Sequence, residues 1–217
     1  EVKYSIKSRT NVYGKIIKYT EDGRPVVQLI RNGKKILTEL PLYGEQSAKS
    51  FVAAAAVALE LGISKTSLLT GLKKIKMPAG RMNVIKLPNS VLIDDTYNAN
   101  PESTKAAIEL LGKIKTYKRK ILFLGDMLEL GKPEIILHEK LAGTINKVLI
   151  NEVYTIGTRM KHLSQKFNRK NIIAKHFKNR KFLIIGIRNM DLEQSVIMVK
   201  GSRRMHMEDF LKEIKQK

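Results

Sequence analysis

Three stretches of this sequence place polar residues directly after apolar runs, where a strand would end. Asp94-Asp95 follow Val91-Leu92-Ile93, Gly125-Asp126 follow Ile121-Leu122-Phe123-Leu124, and Lys200-Gly201-Ser202 follow Ile197-Met198-Val199. A fourth stretch, Pro78-Ala79-Gly80-Arg81, sets a guanidinium just beyond a proline and a glycine. Carboxylates accept several hydrogen bonds and suit hydroxyl or ammonium groups. A guanidinium offers planar, permanently charged donors that match phosphate oxygens. Lys200 and Ser202 precede a helical pattern, and the first N–H groups of a helix favour an anion. Plain structural readings stand beside these. Asp94-Asp95 and Asp126 can equally be capped turns, Asn100 is well placed as an N-cap, and Arg81 is one of 41 basic residues. His138 falls within a helical stretch and reads as a structural hydrogen-bonding residue rather than a catalyst. The four histidines, at 138, 162, 176 and 206, have no metal-ligand spacing and cysteine is absent, so no bound metal is expected.

The elements that must carry these residues change character near residue 83. The first 45 residues read as antiparallel sheet, with hairpin turns of the type needing two positive φ angles at Asp22-Gly23 and Asn32-Gly33. An Ala-rich helix is predicted from Ser47 to Leu61, closed by Gly62, and a second helix capped by Ser64 carries Leu68, Leu72 and Ile75 on one face. Beyond Arg81 strands and helices alternate. The predicted order is strand Val91–Ile93, helix from Asn100-Pro101, strand Ile121–Leu124, helix Leu137–Lys147 and strand Val153–Ile156. Helix Arg159–Phe167, strand Ile197–Val199 and helix Met205–Lys215 follow. Residues 181–190 carry a branched apolar run that reads as strand, while the spacing needed to cross to Ile197 favours helix. Such alternation predicts an α/β fold with a mostly parallel sheet, whose ligands gather at the carboxyl ends of its strands. All three polar stretches sit at such ends.

Composition narrows the class. With 43% hydrophobic and 28% charged residues the chain can bury a core, and no apolar run is long enough to span a membrane. The absence of cysteine is consistent with a cytoplasmic protein. A formal charge of +21 attracts polyanions, yet the basic residues are scattered and tryptophan is absent. Nucleic acid is therefore the second reading, resting on charge alone.

Taken in order, these motifs resemble the Mur ligase family along most of the chain. The Gly44-Glu45-Gln46 segment with its Ala-rich helix is similar to the start of the second half of that family's central ATPase domain. Pro78-Ala79-Gly80-Arg81-Met82 is similar to its hinge. Asp94-Asp95-Thr96-Tyr97-Asn98-Ala99-Asn100-Pro101-Glu102-Ser103, Leu124-Gly125-Asp126-Met127-Leu128-Glu129-Leu130-Gly131 with His138 and Gly143, and Val199-Lys200-Gly201-Ser202-Arg203 complete the set. They most resemble the members that add D-alanyl-D-alanine. Residues 1–82 would then be the last part of the central ATPase domain and residues 83–217 the C-terminal Rossmann-like domain.

The resemblance implies an ATP-dependent amide ligase of peptidoglycan synthesis. Its partners would be UDP-N-acetylmuramoyl-tripeptide and D-alanyl-D-alanine, joined through an acyl phosphate by a monomer. A related ligase with another amino-acid substrate is the alternative within the family. Arg81 would reach the ATP phosphates and Asp95 the ribose hydroxyls, with Gln46 and Ser50 where the family has histidine and asparagine near the adenine. Tyr97, Asn98, Asn100, Asp126, Lys200 and Ser202 would line the dipeptide site, with Asp126 toward the ammonium and Lys200 to Ser202 toward the carboxylate. Departures are equally plain. No GxxxxGK[ST] phosphate loop occurs in these 217 residues. The family's magnesium ligands and modified lysine are missing too, so the chain reads as a piece of a longer enzyme with no catalytic residue of its own.

Overall fold

The computed structural model describes residues 3–6, 10–167 and 172–217, which divide into two compact units, Glu1–Met77 and Pro78–Lys217. In the first unit, strands β1 (Tyr4–Ser5), β2 (Val12–Tyr19), β3 (Pro25–Arg31) and β4 (Lys34–Glu39) form a sheet in that order. The pairs β2–β3 and β3–β4 are antiparallel, but β1 runs parallel to β2, which hairpin patterning does not foresee. Asn32 and Gly33 both take positive φ (48° and 74°), as a two-residue hairpin turn with the right twist demands. The other turn differs from expectation: only Gly23 has positive φ. Thr20 to Arg24 form a longer loop instead, held by Asp22, whose carboxylate accepts from Thr20 Oγ1 (2.5 Å) and Arg24 Nε (2.9 Å). Helices α1 (Gly44–Glu60) and α2 (Lys65–Lys73) complete the unit. The small residues Ala48, Ala55 and Ala56 let α1 lie close on Val27, Leu29 and Leu40. Ser64 caps α2 by accepting from Ser67 N, as its position implied, although α2 ends before Ile75, which is exposed.

The second unit holds strands β5 (Asn83–Lys86), β6 (Val91–Asp95), β7 (Arg119–Gly125), β8 (Glu152–Ile156), β9 (Ile173–Phe177) and β10 (Ser195–Lys200). Their order is β5-β6-β10-β7-β8-β9, parallel throughout except for β5. The helices are α3 (Pro101–Lys113), α4 (Glu134–Ile145), α5 (Met160–Ser164), α6 (Arg180–Asn189) and α7 (Glu208–Lys215). Leu92, Phe123, Tyr154, Ile197 and Val199 pack on one face of the sheet against Leu183 and Ile187 of α6 and Phe210 and Ile214 of α7. The central strands β6, β10, β7 and β8 are buried on both faces, and β6, β10 and β7 therefore read as continuous apolar runs rather than as alternation. Of residues 181–190 all but Met190, the extended C-cap, are helical: Asn179 caps α6, and Leu183 and Ile187, one turn apart, are its buried stripe. Strands β5 and β9, at the two edges, carry no strong periodic signal and were not foreseen. The last helix begins at Glu208 rather than Met205, because a separate 3-10 turn, Arg203–Met205, follows Ser202.

Candidate functional site

Strand β10 lies between β6 and β7, so the ends of these three strands bring Asp95, Lys200 and Gly125 side by side. In open parallel sheets it is outside such carboxyl ends that connections diverge and a ligand crevice forms. The two aspartates of β6 have separate jobs. Asp94 Oδ2 accepts from Gly80 N (3.0 Å), and its Oδ1 accepts from Thr96 N (3.2 Å) and Thr96 Oγ1 (2.7 Å). Asp95 Oδ1 accepts from Met82 N (3.1 Å), and its Oδ2 pairs with Lys200 Nζ (2.5 Å). The residues on either side of Arg81 are thus each held by one buried carboxylate.

The backbone around Arg81 turns sharply, with φ +76° at Gly80 and +50° at Met82. At Gly80 a side chain is disfavoured twice over, by the positive φ and by a tight approach in which a Cβ would lie 3.0 Å from Tyr97 N and 3.2 Å from Tyr97 Cβ. Gly80 O accepts from Tyr97 N (2.8 Å), and the Arg81 guanidinium lies over the Tyr97 ring, 4.1 Å from its centre. Arg81 and Tyr97 are both exposed, and among the described residues Arg81 has no carboxylate partner. The result is a fixed cation facing solvent at the crevice.

Lys200 and Ser202, expected to meet a carboxylate, are instead buried and committed within the protein. Lys200, 2% exposed, joins Asp95 and donates to Asn98 O (3.0 Å). Ser202 Oγ donates to Ala99 O (3.3 Å) and accepts from Leu128 N (2.8 Å). The last helix, α7, carries Glu208 and Asp209 in its own first turn, where they complement the helix dipole. Asp126, expected to face an ammonium group, is likewise closed in, 2% exposed. It accepts from Arg159 N (3.2 Å) and Met160 N (2.8 Å), and its other oxygen lies 3.5 Å from the Arg159 guanidinium. The physical reason is shared: at the end of a buried strand a charge left unpaired costs more than one neutralised internally.

Lys200 and Ser202 together support the loop from Tyr97 to Asn100. Asn98 and Asn100 are exposed, and the Asn100 side chain caps α3 by accepting from Ser103 N (2.8 Å). Gln46 and Ser50, on an exposed face of α1, belong to the first unit. Sequence reasoning missed Arg159 and Glu134. Arg159 Nε donates to Glu134 Oε2 (2.5 Å), a bond that holds the guanidinium above its ordinary pKa range. The available signal was its position three residues after strand β8, the same rule that marked Asp126 after β7. Among the described residues, no group of His, Asp or Glu side chains could hold a metal ion, and no helix is long and apolar enough to cross a membrane.

His138 is fully buried, with Nε2 accepting from Met127 N (2.9 Å) and Nδ1–H donating to Glu134 O (2.6 Å). Both ring nitrogens are used, which selects one neutral tautomer and a structural role. His138→Ala leaves the buried Met127 N–H without its acceptor and opens a cavity. It is expected to cost about 3 kcal/mol of stability in chemical denaturation; a loss under about 1 kcal/mol would remove the structural role.

Comparison with known proteins extends these observations. A family model described as the glutamate ligase domain of Mur ligases matches residues 80–203. The UDP-N-acetylmuramoyl-tripeptide–D-alanyl-D-alanine ligase of Buchnera aphidicola subsp. Acyrthosiphon pisum is 37% identical over 190 residues, covering 84% of this chain and 40% of that protein. The Haemophilus influenzae protein of the same name is 34% identical over 211 residues, covering 94% of this chain and 44% of its own length. Among solved structures, a crystal structure of MurF from Acinetobacter baumannii superposes with a TM-score of 0.84 at 26% identity, covering all of this chain and 47% of that one. The chain spans less than half the length of each of these relatives.

Proposed function

Since this chain belongs to the Mur ligase family, matching its glutamate ligase domain over residues 80–203, we propose that it is part of the ligase that adds D-alanyl-D-alanine to UDP-N-acetylmuramoyl-tripeptide. In this reading residues 1–77, with the Pro78–Met82 hinge, end the central ATPase domain, and the rest is the C-terminal domain. ATP activates the tripeptide carboxylate as an acyl phosphate, and the dipeptide amine displaces the phosphate. An ATP-driven step on a nucleotide-linked precursor belongs in the cytoplasm, and a monomer suffices for it.

The observation that carries the reading is Arg81, held by Asp94 and Asp95 through its neighbours and laid over Tyr97, with no carboxylate partner among the described residues. A fixed, exposed guanidinium fits a phosphate group, whose developing charge it would stabilise during transfer. Asp95 retains lone pairs beyond its two bonds, so it can also accept from ribose hydroxyls. Gln46 and Ser50 are assigned to the adenine side. The dipeptide is assigned to the exposed Tyr97, Asn98 and Asn100. Lys200 and Ser202 support this loop from beneath through the Asn98 and Ala99 carbonyls, and Asp126 anchors the neighbouring Arg159 turn. Magnesium and the phosphate loop belong to the half that these 217 residues do not contain.

The test is to join the chain to its upstream half and follow phosphate release from ATP. Release should require both UDP-N-acetylmuramoyl-tripeptide and D-alanyl-D-alanine, while the 217-residue chain alone releases none. Turnover with a single amino acid in place of the dipeptide would assign the chain to a related ligase. Phosphate release by the chain alone would overturn the division of labour.

A further inference from the structure

The two faces of the six-stranded sheet are not equally covered. Helices α3, α4 and α5 follow one another across one face, while only α6 and α7 pack on the other. On that second face, among the described residues, no helix other than α6 lies over the edge strand β9. The opening is a cleft of about 620 Å3 between Tyr154, Ile173 and Phe177 of the sheet and Phe182 and Ile185 of α6. Ile173 is 61% exposed, Phe182 53% and Ile185 43%. Phe182 and Ile185 share one face of α6, separate from the Leu183–Ile187 stripe that faces the core. Gly186, beside them, lets α6 sit on Phe177, where a Cβ would meet the ring at 2.7 Å. Parallel sheets are normally covered on both faces, and this opening lies where a third helix of the layer would go.

Charge narrows the occupant. Lys175, whose ammonium lies 5.0 Å from the Phe177 ring centre, and Lys178 line the cleft, and among the described residues no Asp or Glu does. A second copy of this chain would bring like charge against like. Nucleic acid would meet mostly apolar walls that offer few donors or acceptors to base edges. We propose that this cleft docks an amphipathic helix of a partner protein, with an apolar stripe seated between β9 and α6 and acidic residues flanking it toward Lys175 and Lys178. This surface is independent of the ligase reading and of the Arg81 site.

The probe is a labelled synthetic peptide of about 15 residues, near the length at which isolated helices become stable, with a leucine stripe flanked by glutamates. Fluorescence anisotropy with the 217-residue chain should show saturable binding. Phe182→Asp and Ile185→Asp should each weaken it at least about tenfold, and Lys175→Glu should weaken it several-fold. Lys15→Glu, in the first unit, should leave it unchanged. Circular dichroism melts of these surface variants should match the unsubstituted chain. No binding, equal binding of a lysine-flanked peptide, or unaltered binding by Phe182→Asp would each overturn the proposal. So would displacement of the peptide by a DNA duplex whose own binding is lost in Phe182→Asp. Loss of peptide binding when the upstream half is attached would also overturn it, since the cleft would then be filled by the enzyme itself.

Discussion

Arg81→Ala in a ligase completed by its upstream half is expected to lower kcat by about 100- to 1000-fold, the usual loss when one preorganised donor to a developing anion is removed. The fold should be unaffected. The side chain is exposed, and its stacking on Tyr97 is worth no more than about 1 kcal/mol. Arg81→Lys should restore little, because a point charge lacks both the planar donors and the flat face that lies on the ring. Steady-state phosphate release and thermal melts of the same preparations check this. A variant that keeps full turnover, or one that melts far below the unsubstituted enzyme, removes Arg81 from the phosphate site.

The second large effect falls on stability. Lys200→Met leaves the Asp95 carboxylate buried at the end of β6 with only the Met82 N–H for company, and should cost about 3–5 kcal/mol in urea unfolding of the 217-residue chain. Asp95→Asn should cost a similar amount for the mirror reason, an ammonium left buried at 2% exposure. Combined, the two substitutions should recover much of the loss, since no uncompensated charge remains. Strict additivity would mean the ion pair carries no coupling. Lys200→Met should also loosen the Tyr97–Asn100 loop, because Asn98 O loses its donor. Nuclear magnetic resonance of those amides separates this local effect from general loss of fold.

Several features of this protein are legible along the chain because their causes lie within a few residues. Asn100-Pro101 starts α3 and Ser64 starts α2, since a cap needs only a side-chain oxygen and an N–H three positions on. Asn32-Gly33 turns the chain because both residues tolerate positive φ. The alternation after residue 83 implied a mostly parallel sheet, and the strand ends marked the crevice. The two edge strands escaped notice because a half-covered strand has neither a continuous apolar run nor clean alternation. Similarly, Asp22-Gly23 misled because the Thr20 and Arg24 side chains reshape its loop.

What the sequence by itself determined is therefore the central strands and most helices, the order of the motifs and the residues gathered at the crevice. Only the tertiary structure decided which of those residues face outward. Asp95 and Lys200 are 105 positions apart, and nothing local says that β10 inserts beside β6 in a register that joins them. Once joined, the Lys200 side chain is closed off at 3% exposure and Asp95 keeps only 12% of its side chain accessible, while Arg81, with no carboxylate partner among the described residues, stays exposed on the ring of Tyr97. Residue type sets the charge a side chain brings; strand order and register set whether that charge is spent inside the protein or left for a ligand.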